Sequence, residues 1–481
     1  MSRRCGILDW GVALPRRRLE NRLTAEAWDR AAPAGSRRIA AHDEDAITLG
    51  VEAALQATQG DGPTPDTDAT SAIDAVMLAT TTAPFAEGTC AGVIADCLDL
   101  GTDVRCIDMN TTRRSGTNAL AVACDMVRAG AARHVLVVAA DICVSRPGDP
   151  GEYLTGHGGA ALLVGPHKEA KVEILAQTEC RHSHCDIWRV ADSRFARSGD
   201  PRFDKIVAYA PSMRSALQSL LHSADWSPQD VRRAALYSPD ARSGAALLKK
   251  SGFDVSSQYC DRVSARVGLT GAAHALLMLI AAIEVSERYD RIIALDYGNG
   301  AAAFGLEILK DPGVSRFDAS IACGYDISYN RYLSLHRLHA GADAEDPTFA
   351  SEMMDERCKR LWRARVARRC LGCRTVLTLP LPTCPRCSKP TDFTEQRLQR
   401  HGTVFAVTHE HYVPTPEPPL GMAVVDLAGG GRLTLQVADE DTPLRIDDRV
   451  ELVFRRLHGG GGRPNYFWKC RSLSVSGGSV Q

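Results

Sequence analysis

Hydrophobic and polar positions follow two rhythms through the first 310 residues of this 481-residue chain. Short unbroken apolar runs, "HVLVVAAD" (134–141) and "RIIALDYG" (291–298), have the length and bounds of fully buried strands. "AIDAVMLATTT" (72–82) reads as a strand running into a loop. Between such runs lie segments with small and apolar residues at three- and four-residue spacing. These are "CAGVIADCLDLG" (90–101), "SGTNALAVACDMVRAG" (115–130) and "GAAHALLMLIAAIE" (271–284). Ser115 stands where an N-cap belongs and Gly130 where a left-handed C-terminal residue belongs. Strand and helix in alternation predict an α/β domain.

The alternation contains a repeat. "GHGGAALLVG" (156–165) follows one buried strand and "GNGAAAFGLE" (298–307) follows the other, an Ala-rich helix preceding each. Helix, strand, Gly-x-Gly turn and strand, twice over, predict a duplicated domain with halves at 1–168 and 169–310. No helix follows either Gly-x-Gly, which excludes a dinucleotide-binding turn. Residues 311–368 are polar and read as a connector with two helical pieces, and residues 396–474 are strand-like with Gly and Pro turns, as in a small barrel.

Composition narrows the class. A formal net charge of -1 gives no footprint for nucleic acid or for an anionic membrane surface. The opening "MSRRCGILDWGVALPRRRLE" is broken by Asp9 and Pro15, unlike a signal peptide. The longest apolar run, "GAAHALLMLIAAIEVSE", is shorter than a bilayer span and carries His274 and Glu284. A cytoplasmic protein without membrane or nucleic-acid partners is expected. Most of the 16 cysteines are scattered through helix-like and strand-like segments, as buried reduced thiols are. Four are not. Cys370-x2-Cys373 is followed ten residues later by Cys384-x2-Cys387, two knuckles that predict a rubredoxin-type ribbon (369–395) around one structural zinc.

The first 310 residues resemble the thiolase superfamily, within it the 3-hydroxy-3-methylglutaryl-CoA synthase and ketoacyl synthase III branch. The motifs carrying the resemblance include "GILDWGVALPRRRLE", "GTNALAVACDMVRAGAARHVLVVAAD", "GHGGAALLVG", "CDIWR", "YSPDARSGAALLKKSGF" and "GLTGAAHALLMLIAAIE". The remainder is similar to the zinc-ribbon and OB-fold modules found beside or fused to such enzymes, through the four cysteines, "EPPLGMAVVDLAGGGR" and "VELVFRRLHGGGGRPNYFWKCR". The resemblance implies a five-layer αβαβα fold, an acyl-CoA or acyl-carrier-protein substrate, and a homodimer.

The functional positions depart from that pattern. Where the family has a nucleophilic Cys before Gly-Thr at the head of the central helix, this chain has Arg113, followed by Arg114, Ser115 and Gly116-Thr117. Tyr237 takes the place of the family's His, Asp240 that of its Asn-type residue in the same turn, Thr81 that of the synthases' Glu, and Leu269 that of a second Asn. A guanidinium is neither nucleophilic nor able to shed its proton, so an acyl-cysteine at position 113 is excluded. Cys106 and Cys90 are the substitutes nearest in sequence, and buried inert thiols are the simpler reading of both. Arg113 at a helix N-terminus calls for an anion. Arg113, Tyr237, Asp240 and Thr81 are therefore the expected catalytic positions, with Arg114 and Ser115 beside the thioester. Aromatics interleaved with Lys469 and Arg471 in the barrel are a pattern that can bind single-stranded nucleic acid; the resemblance instead implies, and the net charge favours, Arg455, Arg456 and Lys469 as contacts to coenzyme A or to the partner domain. His157 reads as a turn histidine satisfied by backbone, His182, His184 and Cys185 as loop residues without metal spacing, and His274 as a core histidine. Two functions fit. One is an enzyme that makes or breaks a C–C bond, or transfers an acyl group, without a covalent intermediate, retro-aldol cleavage being its specific form. The other is a silent acyl-CoA-binding subunit that serves a thiolase-like partner enzyme.

Overall fold

Strands and helices form where the two rhythms place them. The computed structural model describes residues 4–59, 72–191, 193–339, 351–379, 381–388, 392–413, 415–459 and 462–473. The elements that position the site are β1 (Cys5–Ala13), α1 (Ala46–Gln59), β2 (Ile73–Ala79), β3 (Arg105–Met109), α2 (Ser115–Ala129), β4 (His134–Ile142) and β5 (His157–Pro166). The second half adds β6 (Val172–Arg181), α3 (Ala210–Ala224), β7 (Arg233–Leu236), α4 (Ser243–Lys250), α5 (His274–Ile283), β8 (Arg291–Tyr297) and β9 (Gly300–Ile308).

The nine strands hydrogen-bond in the order β7-β8-β9-β6-β1-β5-β4-β2-β3. Pairing repeats between the halves: β2 runs parallel to β4 as β7 does to β8, and the β4–β5 hairpin is antiparallel like β8–β9. Only the short antiparallel contact of β1 with β6 joins the half-sheets. The second half has no named strand matching β3; a single parallel bridge from Ala234 to Tyr259 stands there. α1 packs on β1, β4 and β5, and α3 on β6, β8 and β9, while α2 and α5 touch each other between the half-sheets. These are the five layers. All ten residues of α5 are buried, which a helix enclosed by sheets requires and which its unbroken apolar sequence supplies.

The Gly-x-Gly turns earn their glycines through close approach. A Cβ on Gly156 would lie 1.8 Å from the Val267 carbonyl oxygen, and one on Gly298 would lie 2.7 Å from Thr112 Oγ1 and 3.0 Å from the Arg114 nitrogen. Each turn thus presses on a loop of the other half, and the second presses on the turn that carries Arg113.

This first compact unit comprises residues 1–40, 45–94 and 101–329. The second comprises 330–481 with short pieces from 41–44 and 95–100. The stretch expected as a connector is divided between the units and holds three described helices, not two: Arg316–Ala322, Tyr329–Leu335 and Glu352–Trp362. Ser315 and Ser351 cap the first and last of these, accepting from the Asp318 and Met354 N–H groups.

In the second unit, β10 (Val366–Cys370) pairs with β11 (Val376–Leu377) and β12 (Phe393–Arg397) to frame the cysteine knuckles. β13 (His401–Glu410), β14 (Leu420–Leu427), β15 (Arg432–Gln436), β16 (Arg449–His458) and β17 (Asn465–Ser472) form an antiparallel sheet in the order β15-β14-β13-β16-β17. A bridge from Val437 to Cys470 brings its ends together, nearly closing the barrel around Val404, Val425, Leu452, Phe454 and Trp468. Among the described residues no helix is long and apolar enough to cross a membrane.

Candidate active site

The turn between β3 and α2 holds Arg113 at the head of the central helix. Ser115 is not the N-cap expected. Arg114 holds that position, and the Ser115 hydroxyl accepts from the Thr112 N–H at 3.2 Å, tying the turn together. Ser115 is buried, with 1% of its surface exposed. Gly116 allows α2 to meet the start of α5, since a Cβ there would lie 2.2 Å from the Ala272 carbonyl oxygen. Thr117 donates to Asp296 at 2.8 Å. Burial raises the Asp296 carboxyl to about 7, against the opposing pull of Thr117. The Gly-Thr pair is thus scaffold. Arg114 turns aside: its Nε donates to the Gly298 carbonyl at 3.3 Å and its guanidinium lies 3.6 Å from Glu179.

Arg113 faces inward, toward Cys143, Tyr237, Asp186 and Asp141. Burial opposes its charge, but these neighbours outweigh burial and raise its pKa. Among the described residues no carboxylate forms an ion pair with Arg113. Among the neighbours that act on its charge is Tyr237, just after β7, whose own hydroxyl Arg113 acts on in turn. Tyr237 is 5% exposed, and burial pushes its hydroxyl up to about 12 while Arg113 pulls the other way. It is a neutral donor at physiological pH. Its ring stacks on Tyr297 at 6.3 Å and meets His274 edge-on at 5.9 Å, while the Tyr209 hydroxyl donates to its carbonyl at 2.9 Å.

Asp240 does not join them. Its carboxylate accepts from the Arg242 and Ser243 N–H groups at 2.9 and 2.8 Å, from the Ser243 hydroxyl at 2.8 Å and from Lys205 at 2.9 Å. These bonds, overcoming burial, hold the carboxyl at about 2. A carboxylate so engaged ties its turn to the start of α4, and it is not among the groups that act on Arg113. Thr81 does reach the neighbourhood of Arg113, as part of a clamp. Asp141, fully buried, accepts from the Thr80, Thr81 and Thr82 hydroxyls at 2.8, 2.9 and 2.8 Å. It also accepts from the Thr81, Thr82 and Ala272 N–H groups at 2.7, 2.9 and 2.7 Å. The hub joins the β2 loop of the first half to the α5 entrance of the second.

Two neighbours in this cluster, Cys143 and Asp186, were not candidates in the sequence, and a third, His274, was expected only as a core histidine. Cys143, after β4, lies 3.6 Å from the Thr81 hydroxyl. Burial and Asp141 push its thiol up to about 11 against Arg113, so it is not a preformed thiolate. Burial likewise raises the Asp186 carboxyl. His274 opens α5 with 1% of its surface exposed and no hydrogen-bond partner at either ring nitrogen. A polar residue in an otherwise apolar decapeptide was the available signal. Cys90 and Cys106 are not among the groups that face Arg113; the Cys90 N–H bonds Asp108 and the Cys106 thiol bonds the Val104 carbonyl. His157 is satisfied by backbone, its Nδ1 accepting from Ala40 at 2.8 Å and its Nε2 bonding the Cys143 carbonyl at 2.9 Å. His184 pairs with Asp204 at 2.6 Å.

In the second unit the basic residues expected to meet coenzyme A are otherwise engaged. Arg455 is 1% exposed and pairs with Asp439 at 2.7 Å and Glu44 at 2.8 Å, and Lys469, 2% exposed, pairs with Asp43 at 2.7 Å. Arg456 bonds the His42 carbonyl. Burying such cations without carboxylates would be prohibitive, so their positive charge is neutralised within the unit. The four cysteine sulfurs lie within 4.8 Å of one another, with Cys370 3.8 Å from Cys387 and Cys373 3.5 Å from Cys384. Ligands about 2.3 Å from a tetrahedral zinc stand roughly 3.8 Å apart, so the set fits that ion.

A duplicated five-layer domain with its functional turn at the head of the central helix, followed by a cysteine ribbon and a barrel, defines a condensing-enzyme-like protein with an appended module. The 3-oxoacyl-[acyl-carrier-protein] synthase III family matches residues 107–181, and the C-terminal OB-fold domain of ChsH2 matches residues 395–455. Hydroxymethylglutaryl-CoA synthase of Archaeoglobus fulgidus is 29% identical over 312 residues, 63% of this chain and 89% of the relative. That of Thermococcus kodakarensis is 28% identical over 349 residues, 71% and 97% respectively. A crystal structure of HMG-CoA synthase complexed with CoA superposes with a TM-score of 0.60 at 18% identity, covering 73% of this chain and 94% of the other. Synthase III from Pseudomonas aeruginosa superposes at 0.57 with 21% identity, covering 64% and 99%. The chain thus carries a thiolase-like domain of the synthase III type, with hydroxymethylglutaryl-CoA synthases among its homologues, and a ChsH2-type OB-fold domain over residues 395–455.

Proposed function

We propose that this protein acts on an acyl thioester of coenzyme A or of a carrier protein, making or breaking a bond at the acyl group without an acyl-cysteine intermediate. The observation that carries this is Arg113 at the head of the central helix, a cation with no ion-paired carboxylate among the described residues and with the Tyr237 hydroxyl in its field. A thioester oxygen placed there meets two donors that cannot act as nucleophiles. Negative charge developing on that oxygen, as a C–C bond at the acyl α-carbon forms or breaks, is held by the guanidinium and the phenolic hydroxyl in a site poor in water. Tyr237 keeps its proton because burial holds the hydroxyl at about 12. Retro-aldol cleavage of a 3-hydroxyacyl thioester is the direction that most depends on such an oxyanion site and least on a nucleophile. Zinc, bound by Cys370, Cys373, Cys384 and Cys387, has a structural place only, since four thiolates leave no open position. A homodimer is the expected assembly.

The test is turnover and binding of a panel of acyl-CoA thioesters by the full chain and by Arg113→Ala and Tyr237→Phe. Loss of turnover by 100-fold or more (roughly the worth of one oxyanion donor), with an unchanged melting temperature, supports the assignment. Unchanged turnover overturns it. Binding without turnover in the native chain favours the silent subunit.

A further inference from the structure

His274 is an anomaly in its own fold. α5 buries all ten of its residues, and nine of them are apolar. The tenth brings an imidazole into the interior with neither nitrogen hydrogen-bonded. Another buried histidine shows what this fold does when an imidazole is structural: both His157 nitrogens meet backbone partners. Buried polar groups are nearly always paired, and an unpaired one in a well-formed core calls for a missing partner. The place where His274 lies narrows what that partner is. Its ring meets the Tyr237 ring at 5.9 Å and it lies in the field of Arg113, the two residues assigned above to the thioester oxygen. The Tyr297 hydroxyl, on the ring stacked against Tyr237, is also buried without a partner.

We propose that His274 is a substrate-contacting specificity residue, whose neutral imidazole hydrogen-bonds a hydroxyl on the acyl group of the thioester. This deepens the function proposed above and rests on it. A neutral imidazole carries one donor and one acceptor, and a hydroxyl is the complementary group. Neutrality follows from its surroundings. Burial, against the attraction of Asp261 and with a smaller push from Arg113, lowers the ring to about 4. An imidazolium in the field of Arg113 would add a second cation in the interior, so His274 is a hydrogen-bonding group rather than a charge carrier. A saturated hydrocarbon chain would leave both nitrogens stranded, and sites built to pair a substrate hydroxyl reject analogues that lack it.

The experiment compares 3-hydroxybutyryl-CoA with butyryl-CoA as ligands of the full-length protein by calorimetry, for the native chain, His274→Leu and His274→Gln. The native chain should bind the hydroxyacyl thioester at least about 30-fold more tightly, His274→Leu should lose most of that ratio, and His274→Gln, which retains a donor and an acceptor, should recover part of it. Removing an unpaired buried polar group should also raise the melting temperature of His274→Leu by about 2 °C or more, the opposite of losing a structural histidine. Equal affinities in the native chain, or a lowered melting temperature with the ratio intact, would overturn the proposal while leaving the thioester reading standing. A native chain that binds neither thioester would overturn both.

Discussion

Asp141→Ala tests whether the two halves are joined at the site as the structure indicates. Asp141 accepts six hydrogen bonds, three from hydroxyls and three from backbone N–H groups. The Thr80, Thr81 and Thr82 hydroxyls can rotate toward other acceptors, so their loss counts for little. The Thr81 and Thr82 N–H groups are in half-buried residues that water can reach in part. The Ala272 N–H has no such escape, being in a fully buried residue at the turn into α5. Stranding that donor costs about 1–3 kcal/mol, and losing two charge-assisted bonds with partial hydration adds roughly 1–2 kcal/mol. A destabilisation of about 4 kcal/mol is expected, in the range that breaking a buried polar network produces. Asp141→Asn keeps one accepting oxygen but turns an amide toward other donors, so it should recover only a fraction. Urea unfolding followed by circular dichroism measures the effect as a shift in the transition of the first unit. A loss below about 1 kcal/mol for Asp141→Ala would refute the clamp, because it would mean that water replaces the carboxylate at Ala272.

Two other outcomes follow from the same chemistry. Burial raises the Asp296 carboxyl to about 7, above its value in an unfolded chain, so the folded state holds a proton there that the unfolded state releases. Stability of the native chain should therefore fall as pH rises from about 4 to about 7, and Asp296→Asn should flatten that slope in melting curves across the window. The purified chain should release one equivalent of zinc to a chromogenic chelator after thiol modification. Cys384→Ser, which removes a buried ligand, should abolish that release and loosen the second unit to limited proteolysis while the first remains intact. Zinc-free protein with an unchanged proteolytic pattern would contradict the ribbon reading.

Much of the fold was legible in local pattern. "HVLVVAAD" and "RIIALDYG" are buried strands because unbroken apolar runs of that length suit only a covered sheet, and they became β4 and β8. The repeated Gly-x-Gly was legible as duplication, and Cys370, Cys373, Cys384 and Cys387 as one cluster, because spacing alone brings knuckles together. The capping of α2 was misread by one residue, since Ser115 bonds backward to Thr112 and serves the turn instead of the helix. Asp240 was placed in the right turn, but its lone pairs turn toward α4. Arg455 and Lys469 look like anion-binding residues on an alternating strand, yet each meets a carboxylate far away in the chain.

The sequence by itself determined the order of elements, the duplication, the cysteine cluster and the absence of a nucleophile at position 113. These depend on residue type and on periodicity, which chain order carries. Only the tertiary structure decided which polar groups share one site. Arg113, Cys143, Asp186, Tyr237 and His274 come from separate turns of the two halves and meet because the half-sheets pack around α2 and α5. Whether a buried histidine is satisfied or left waiting for a partner is likewise a matter of its neighbours. His157 and His274 look alike as letters in apolar company, and packing alone gave one of them partners at both nitrogens and left the other with none.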